Sequence, residues 1–86
     1  MHTVAILEQA LDLATRLGYG IRQEWLGGSG GGGCELNGRK IFFLDLALDP
    51  GEQLEQLLDT LRHDPGAANL PMPHELRDLL QVRKIA

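Results

Sequence analysis

Cys34 is the single thiol of this 86-residue chain, and as a thiolate it could attack an electrophile if His63 or His74 took its proton. The sequence sets no helix N-terminus and no basic cluster beside it to lower its pKa, so a small buried hydrophobe is the competing reading. His74-Glu75-Leu76-Arg77-Asp78 opens like the His-Glu-x-x-His helix of zinc hydrolases. Asp78 stands where the second histidine belongs, which removes a neutral ligand, and no metal site is expected. Glu75 and Asp78 suit instead the positive N-terminal turn of a helix that begins after Pro73. Asp45 interrupts the apolar run Ile41–Leu48. A carboxylate there needs a partner such as Arg22 or Arg39, a solvated rim, or a role as an acid beside Glu24. No set of catalytic residues assembles from these groups.

The strongest departure from average composition is Gly27-Gly28-Ser29-Gly30-Gly31-Gly32-Gly33. Gly28, Gly30 and Gly33 fit the spacing G-x-G-x-x-G, in which backbone amides cradle phosphate. A small anionic ligand or nucleotide at these residues and Cys34, with hydrolysis as the accompanying activity, is one expectation. Phosphate loops lead from a strand into a helix, however, and this run leads into another strand. No Lys-Ser or Lys-Thr follows it. The competing expectation is that the glycines let two layers approach closely, and a third is a slack tether.

Several elements must position these residues. Thr3 is a plausible N-cap, and Ile6, Leu7, Ala10, Leu11, Leu13, Ala14 and Leu17 recur at helical spacing up to Gly18, predicting a helix over about 4–17. Residues 19–26 alternate as a strand. Asn37-Gly38 is the strongest short-range signal for a type I′ turn and joins strands predicted over about 30–36 and 39–48. Asp49, Pro50 and Glu52 form a capping box with proline at the first helical position, and Leu54, Leu57, Leu58 and Leu61 continue the helix over about 50–63. After Asp64-Pro65-Gly66 and further prolines, Leu76, Leu79 and Leu80 predict a short helix over about 73–83.

A two-residue turn at Asn37-Gly38 sets Leu36 against Arg39, Glu35 against Lys40, Cys34 against Ile41, Gly33 against Phe42 and Gly32 against Phe43. Bulky residues over facing glycines fill the space the glycines leave, so part of the run reads as strand. A hairpin through Gly27-Gly28-Ser29 then pairs the first strand with the second and seats Trp25 with Ile21, Phe42, Leu44 and Leu46. The third strand is apolar on both sides, which places it centrally or covers both its faces. Its second side carries Ile41, Phe43 and Asp45, grouped with Arg22 and Glu24 as a possible interaction face.

The hydrophobic content of 43 % supports one folded domain over residues 1–86 rather than a disordered chain. The formal charge is −4 with the eight Lys and Arg scattered, and phosphate backbones require a concentrated basic footprint, so no nucleic-acid partner is expected. An anionic membrane surface is excluded likewise, and no apolar run reaches transmembrane length. One cysteine leaves no internal disulfide, and Met1-His2-Thr3 does not open a signal peptide, so a cytoplasmic location without cofactor is expected. The sequence therefore predicts an α+β domain, a three-stranded antiparallel meander with two helices on one face and a short C-terminal helix. It predicts a non-enzymatic interaction module whose partner is another protein or a second copy of itself as a homodimer.

Overall fold

The computed structural model describes residues 3–28 and 31–80, and the elements follow in the order α1 (Thr3–Arg16), β1 (Gly20–Glu24), β2 (Gly32–Leu36), β3 (Arg39–Asp45), α2 (Pro50–Arg62), a 3-10 turn (Ala67–Asn69) and α3 (His74–Leu80). Gly30 and residues 81–86, into which the third helix was expected to run, lie outside the described residues. The fold is a small α+β arrangement with a mixed three-stranded sheet.

Helix α1 buries Ile6, Leu7, Ala10, Leu13 and Ala14 along one side. It ends in a Schellman motif: Gly18 N–H donates to Thr15 O at 3.0 Å and Tyr19 N–H to Ala14 O at 3.0 Å. Gly18 takes φ +99°, a conformation that costs residues with a Cβ and suits glycine. Helix α2 starts with the expected capping box, Glu52 N–H donating to Asp49 Oδ1 at 2.9 Å and Asp49 N–H to Glu52 Oε1 at 3.3 Å. Leu54, Leu57, Leu58 and Leu61 turn inward from α2, and Leu76 and Leu80 from α3. Leu79, predicted on that same buried face of α3, is exposed.

The sheet order is β1-β3-β2, with β2 antiparallel to β3 and β1 parallel to it. The expected hairpin between the first two strands is thus corrected. β1 lies on the far side of β3, and residues 25–28 pass the end of β3, where Leu26 and Gly28 bond Asp45. The third strand is central, and a central position pairs its backbone on both edges. The β2–β3 register is the expected one, Gly32 facing Phe43 through Leu36 facing Arg39. Asn37 at φ 53° and Gly38 at φ 77° form the type I′ turn. Phe42 and Leu44 point from β3 into the helices and join the core. Trp25, expected beside them, is 75 % exposed, because β1 stops at Glu24 and the chain turns away. β3 likewise stops at Asp45 rather than continuing to Leu48.

Candidate functional site

Asp45 is the residue around which the crossing segment is organised. Its carboxylate is fully buried. Oδ1 accepts N–H bonds from Leu26 at 3.0 Å and Ala47 at 2.9 Å, and Oδ2 accepts one from Gly28 at 2.8 Å. The Asp45 carbonyl accepts Gln53 Nε2 at 2.9 Å. These bonds supply the compensation a buried carboxylate needs. The expectation that Asp45 sits on an interaction face, at a rim or as an acid beside Glu24 is corrected: it is an internal anchor. Arg22 turns to Glu24, Nη2 to Oε2 at 3.2 Å, on the exposed surface.

The same geometry bears on the glycine loop. Gly28 adopts φ +84° and offers its N–H inward to Asp45. The amide that a phosphate-cradling loop would present to a ligand is therefore committed to an anion within the chain. Gly33 is not in a loop at all; it belongs to β2 and lies over α2. A Cβ at Gly33 would stand 2.6 Å from Thr60 Cγ2, and one at Gly31 would run into the Gln56 amide and stand 3.2 Å from the Phe43 carbonyl oxygen. These glycines let strand and helix approach more closely than any side chain permits.

Between β2 and α2 runs a groove of about 790 Å³, lined by Gly31–Glu35 on one side and by Gln56, Asp59, Thr60 and His63 on the other. One end is closed by a polar cluster. Asp64 Oδ2 accepts from Lys40 Nζ at 2.9 Å and from Tyr19 Oη at 3.0 Å, and Oδ1 accepts from Gly66 N–H at 2.9 Å. The Lys40 ammonium also stands 5.1 Å from the centre of the Tyr19 ring. Burial, together with the Asp64 hydrogen bond and the negative charges of Asp64 and Glu35, pushes the Tyr19 phenol up to about 12. Burial pulls the Asp64 carboxyl upward, but the hydrogen bonds from Lys40, Gly66 and Tyr19 outweigh it and hold Asp64 below its ordinary value.

The sequence-derived thiol chemistry finds no assembled site. Cys34 faces Ile41 across the ladder, and opposed residues share a sheet face, so its side chain lies on the side away from α2. His63 Nδ1 stands 2.8 Å from Asp59 O on its own helix. His74 pairs with Asp78, Nε2 to Oδ2 at 3.2 Å, both exposed on α3. Among the described residues no three His, Cys, Asp or Glu side chains converge as a metal site, and no helix is long and apolar enough to cross a membrane.

The outer sheet face gathers Arg22 and Glu24 of β1, Ile41 and Phe43 of β3, and Cys34 and Leu36 of β2, by strand register. Ile41 and Phe43 stand outside the core cluster and outside the partly buried hydrophobics packed on it. Leu36 is 51 % exposed. Sequence reasoning overlooked Tyr19, Lys40 and Asp64. One signal was present: Lys40 shares the parity of Phe42 and Leu44, which directs an ammonium toward the helices, where it needs a carboxylate. No family model, curated protein or solved structure matches the chain.

Proposed function

We propose that this chain is a non-enzymatic interaction module that pairs with a second copy of itself through the outer face of its sheet. The observation that carries the reading is the position of Ile41 and Phe43. They sit mid-strand in the central strand, flanked by exposed Cys34 and Leu36, on the side opposite the helices that bury Phe42 and Leu44. Apolar surface grouped on one face of a small protein marks an association surface. Arg39 lies at one end of the face and the Arg22–Glu24 ion pair at the other. A two-fold stacking that reverses strand direction therefore sets Arg39 of one copy near Glu24 of its mate while the apolar centre stacks on itself.

Sedimentation velocity from low-micromolar to near-millimolar protein tests this. The parent chain should shift from monomer to dimer, and Phe43→Glu and Leu36→Glu should each remain monomeric with unchanged circular dichroism. A parent chain that stays monomeric throughout refutes the reading.

A further inference from the structure

The edge of β2, as distinct from its face, carries a second and independent surface. The type I′ turn makes Leu36 and Arg39 a hydrogen-bonded pair, and such pairs alternate along an antiparallel ladder. Cys34 and Ile41 are then bonded, whereas Glu35–Lys40 and Gly33–Phe42 are not. The backbone N–H and C=O of Gly33 and Glu35 therefore point outward from the sheet, and both residues are exposed. Among the described residues, no hydrogen-bond partner meets these groups. Proteins blunt such edges with proline, lysine, bulges or a covering element. Gly32-Gly33-Cys34-Glu35-Leu36 carries neither proline nor lysine.

Beneath this edge α2 presents Gln56, Asp59 and Thr60, and its C-cap His63 continues the stripe at i, i+3, i+4 and i+7; the groove between them and the edge has a volume of about 790 Å³. Gly31 and Gly33 draw the strand down onto the helix and put no side chain over the opening. The charged lining residues are Glu35, Asp59 and Asp64 against Lys40, whose ammonium is already bonded to Asp64. Three carboxylates against one ammonium leave the groove negative, and the Asp59 side chain, 72 % exposed, faces solvent.

We propose that the β2 edge and α2 together form a docking groove for an extended basic segment of a partner protein, which adds to the sheet as a fourth strand. Two peptide residues at i and i+2 exchange N–H···O=C bonds with Gly33 and Glu35. Directly opposed residues share a face, so both of these side chains point toward α2. Lysine or arginine at those two positions reaches Asp59 and Glu35. Main-chain bonds supply affinity, and the two carboxylates select positive charge.

The probe is an acetylated, amidated heptapeptide alternating valine and lysine, titrated into the isotopically labelled protein and, separately, into its Phe43→Glu variant. Saturable binding is expected, with hydrogen-exchange protection of the Gly33 and Glu35 amides. Methylating the peptide nitrogens that face β2 should abolish it, and a glutamate-for-lysine analogue should bind roughly tenfold more weakly. Glu35→Lys and Asp59→Lys, both exposed changes that leave the core intact, should each weaken binding about two- to fivefold. The absence of saturable binding overturns the proposal. So does binding that ignores nitrogen methylation and both charge reversals, or protection confined to Ile41 and Phe43 on the outer face. Loss of dimerisation in Phe43→Glu with the peptide still bound separates this surface from the self-association face.

Discussion

Replacing Gly33 by alanine tests directly how strand and helix meet. The new Cβ would lie 2.6 Å from Thr60 Cγ2, 3.3 Å from Oγ1 and 3.5 Å from Cβ. Carbon atoms rest at about 3.5–4.0 Å, so roughly 1 Å of movement is required. Thr60 resists it: a β-branched side chain in a helix has few χ1 choices, and its Oγ1 donates to Gln56 O at 3.1 Å. Gly33 itself lies outside the left-handed region, so alanine meets no backbone strain and should gain about 0.4–1 kcal/mol by restricting the unfolded chain. Against that gain, overpacking of this kind costs about 1–3 kcal/mol. The expected net effect is a loss of about 1–2 kcal/mol, which lowers Tm by roughly 4–8 °C per kcal/mol in a domain of this size.

Thr60→Ser removes the offending methyl and keeps the hydroxyl. The double variant should therefore recover most of the loss, with a coupling of about 1 kcal/mol. Urea unfolding followed by circular dichroism on the parent, both singles and the double measures this cycle. If Gly33→Ala falls within about 0.5 kcal/mol of the parent, or if Thr60→Ser deepens its loss, close packing is not the role of this glycine.

Gly31→Val should destabilise more than Gly33→Ala, because one of its obstacles is the Phe43 carbonyl oxygen at 3.2 Å, which cannot rotate away as a side chain can; the same urea midpoints rank the two. Asp45→Asn puts an amide donor against the N–H groups of Leu26, Gly28 or Ala47 and should cost about 1–3 kcal/mol, with faster hydrogen exchange at Leu26 and Gly28 as the local signature. Stability should fall at both extremes of pH. Asp64 is held below its ordinary 3.8 in the folded chain, so its contribution is present above that value and is lost as pH drops through the folded value. Tyr19 is raised from 10.0 to about 12, so its contribution is complete below pH 10 and is lost as pH climbs toward 12. Asp64→Asn should flatten the acid limb of a plot of urea midpoint against pH and only lessen the alkaline one, because the burial that chiefly raises Tyr19 remains.

What could be read from the sequence divides by range. The β2–β3 register was legible because Asn37-Gly38 fixes it within two residues, and the start of α2 because Asp49 and Glu52 cap it locally. Alternation within β1 sorts its residues into two sides, Arg22 and Glu24 against Ile21 and Gln23, but which side shares the face of Phe43 rested on the expected Gly27-Gly28-Ser29 hairpin. It is the parallel pairing with β3 that sets Arg22 beside Phe43. Parity does not reveal which strand lies next door, and so β1 was assigned to β2 rather than to the free edge of β3. Asp45 was misplaced for a related reason. Its partners are backbone amides of Leu26, Gly28 and Ala47, and amides carry no residue-type signal. The cluster of Tyr19, Lys40 and Asp64 spans sequence separations of 24 and 45 residues, and only the completed fold brings it together.

The two candidate surfaces follow from one topological choice. A meander would place the glycine strand in the centre, where each glycine weakens the strand interior by about 0.5–1 kcal/mol relative to alanine. It would also leave one edge of the most apolar strand unpaired. The observed order reverses this: β3 is paired on both edges and β2 takes the edge. Reaching that order obliges residues 25–28 to cross the end of β3, where their amides need acceptors. Asp45 provides them at the point of crossing. The buried carboxylate is therefore what makes the β1-β3-β2 order affordable. With the helices on one side of β3, that order leaves Ile41 and Phe43 outward and the backbone of Gly33 and Glu35 open along α2.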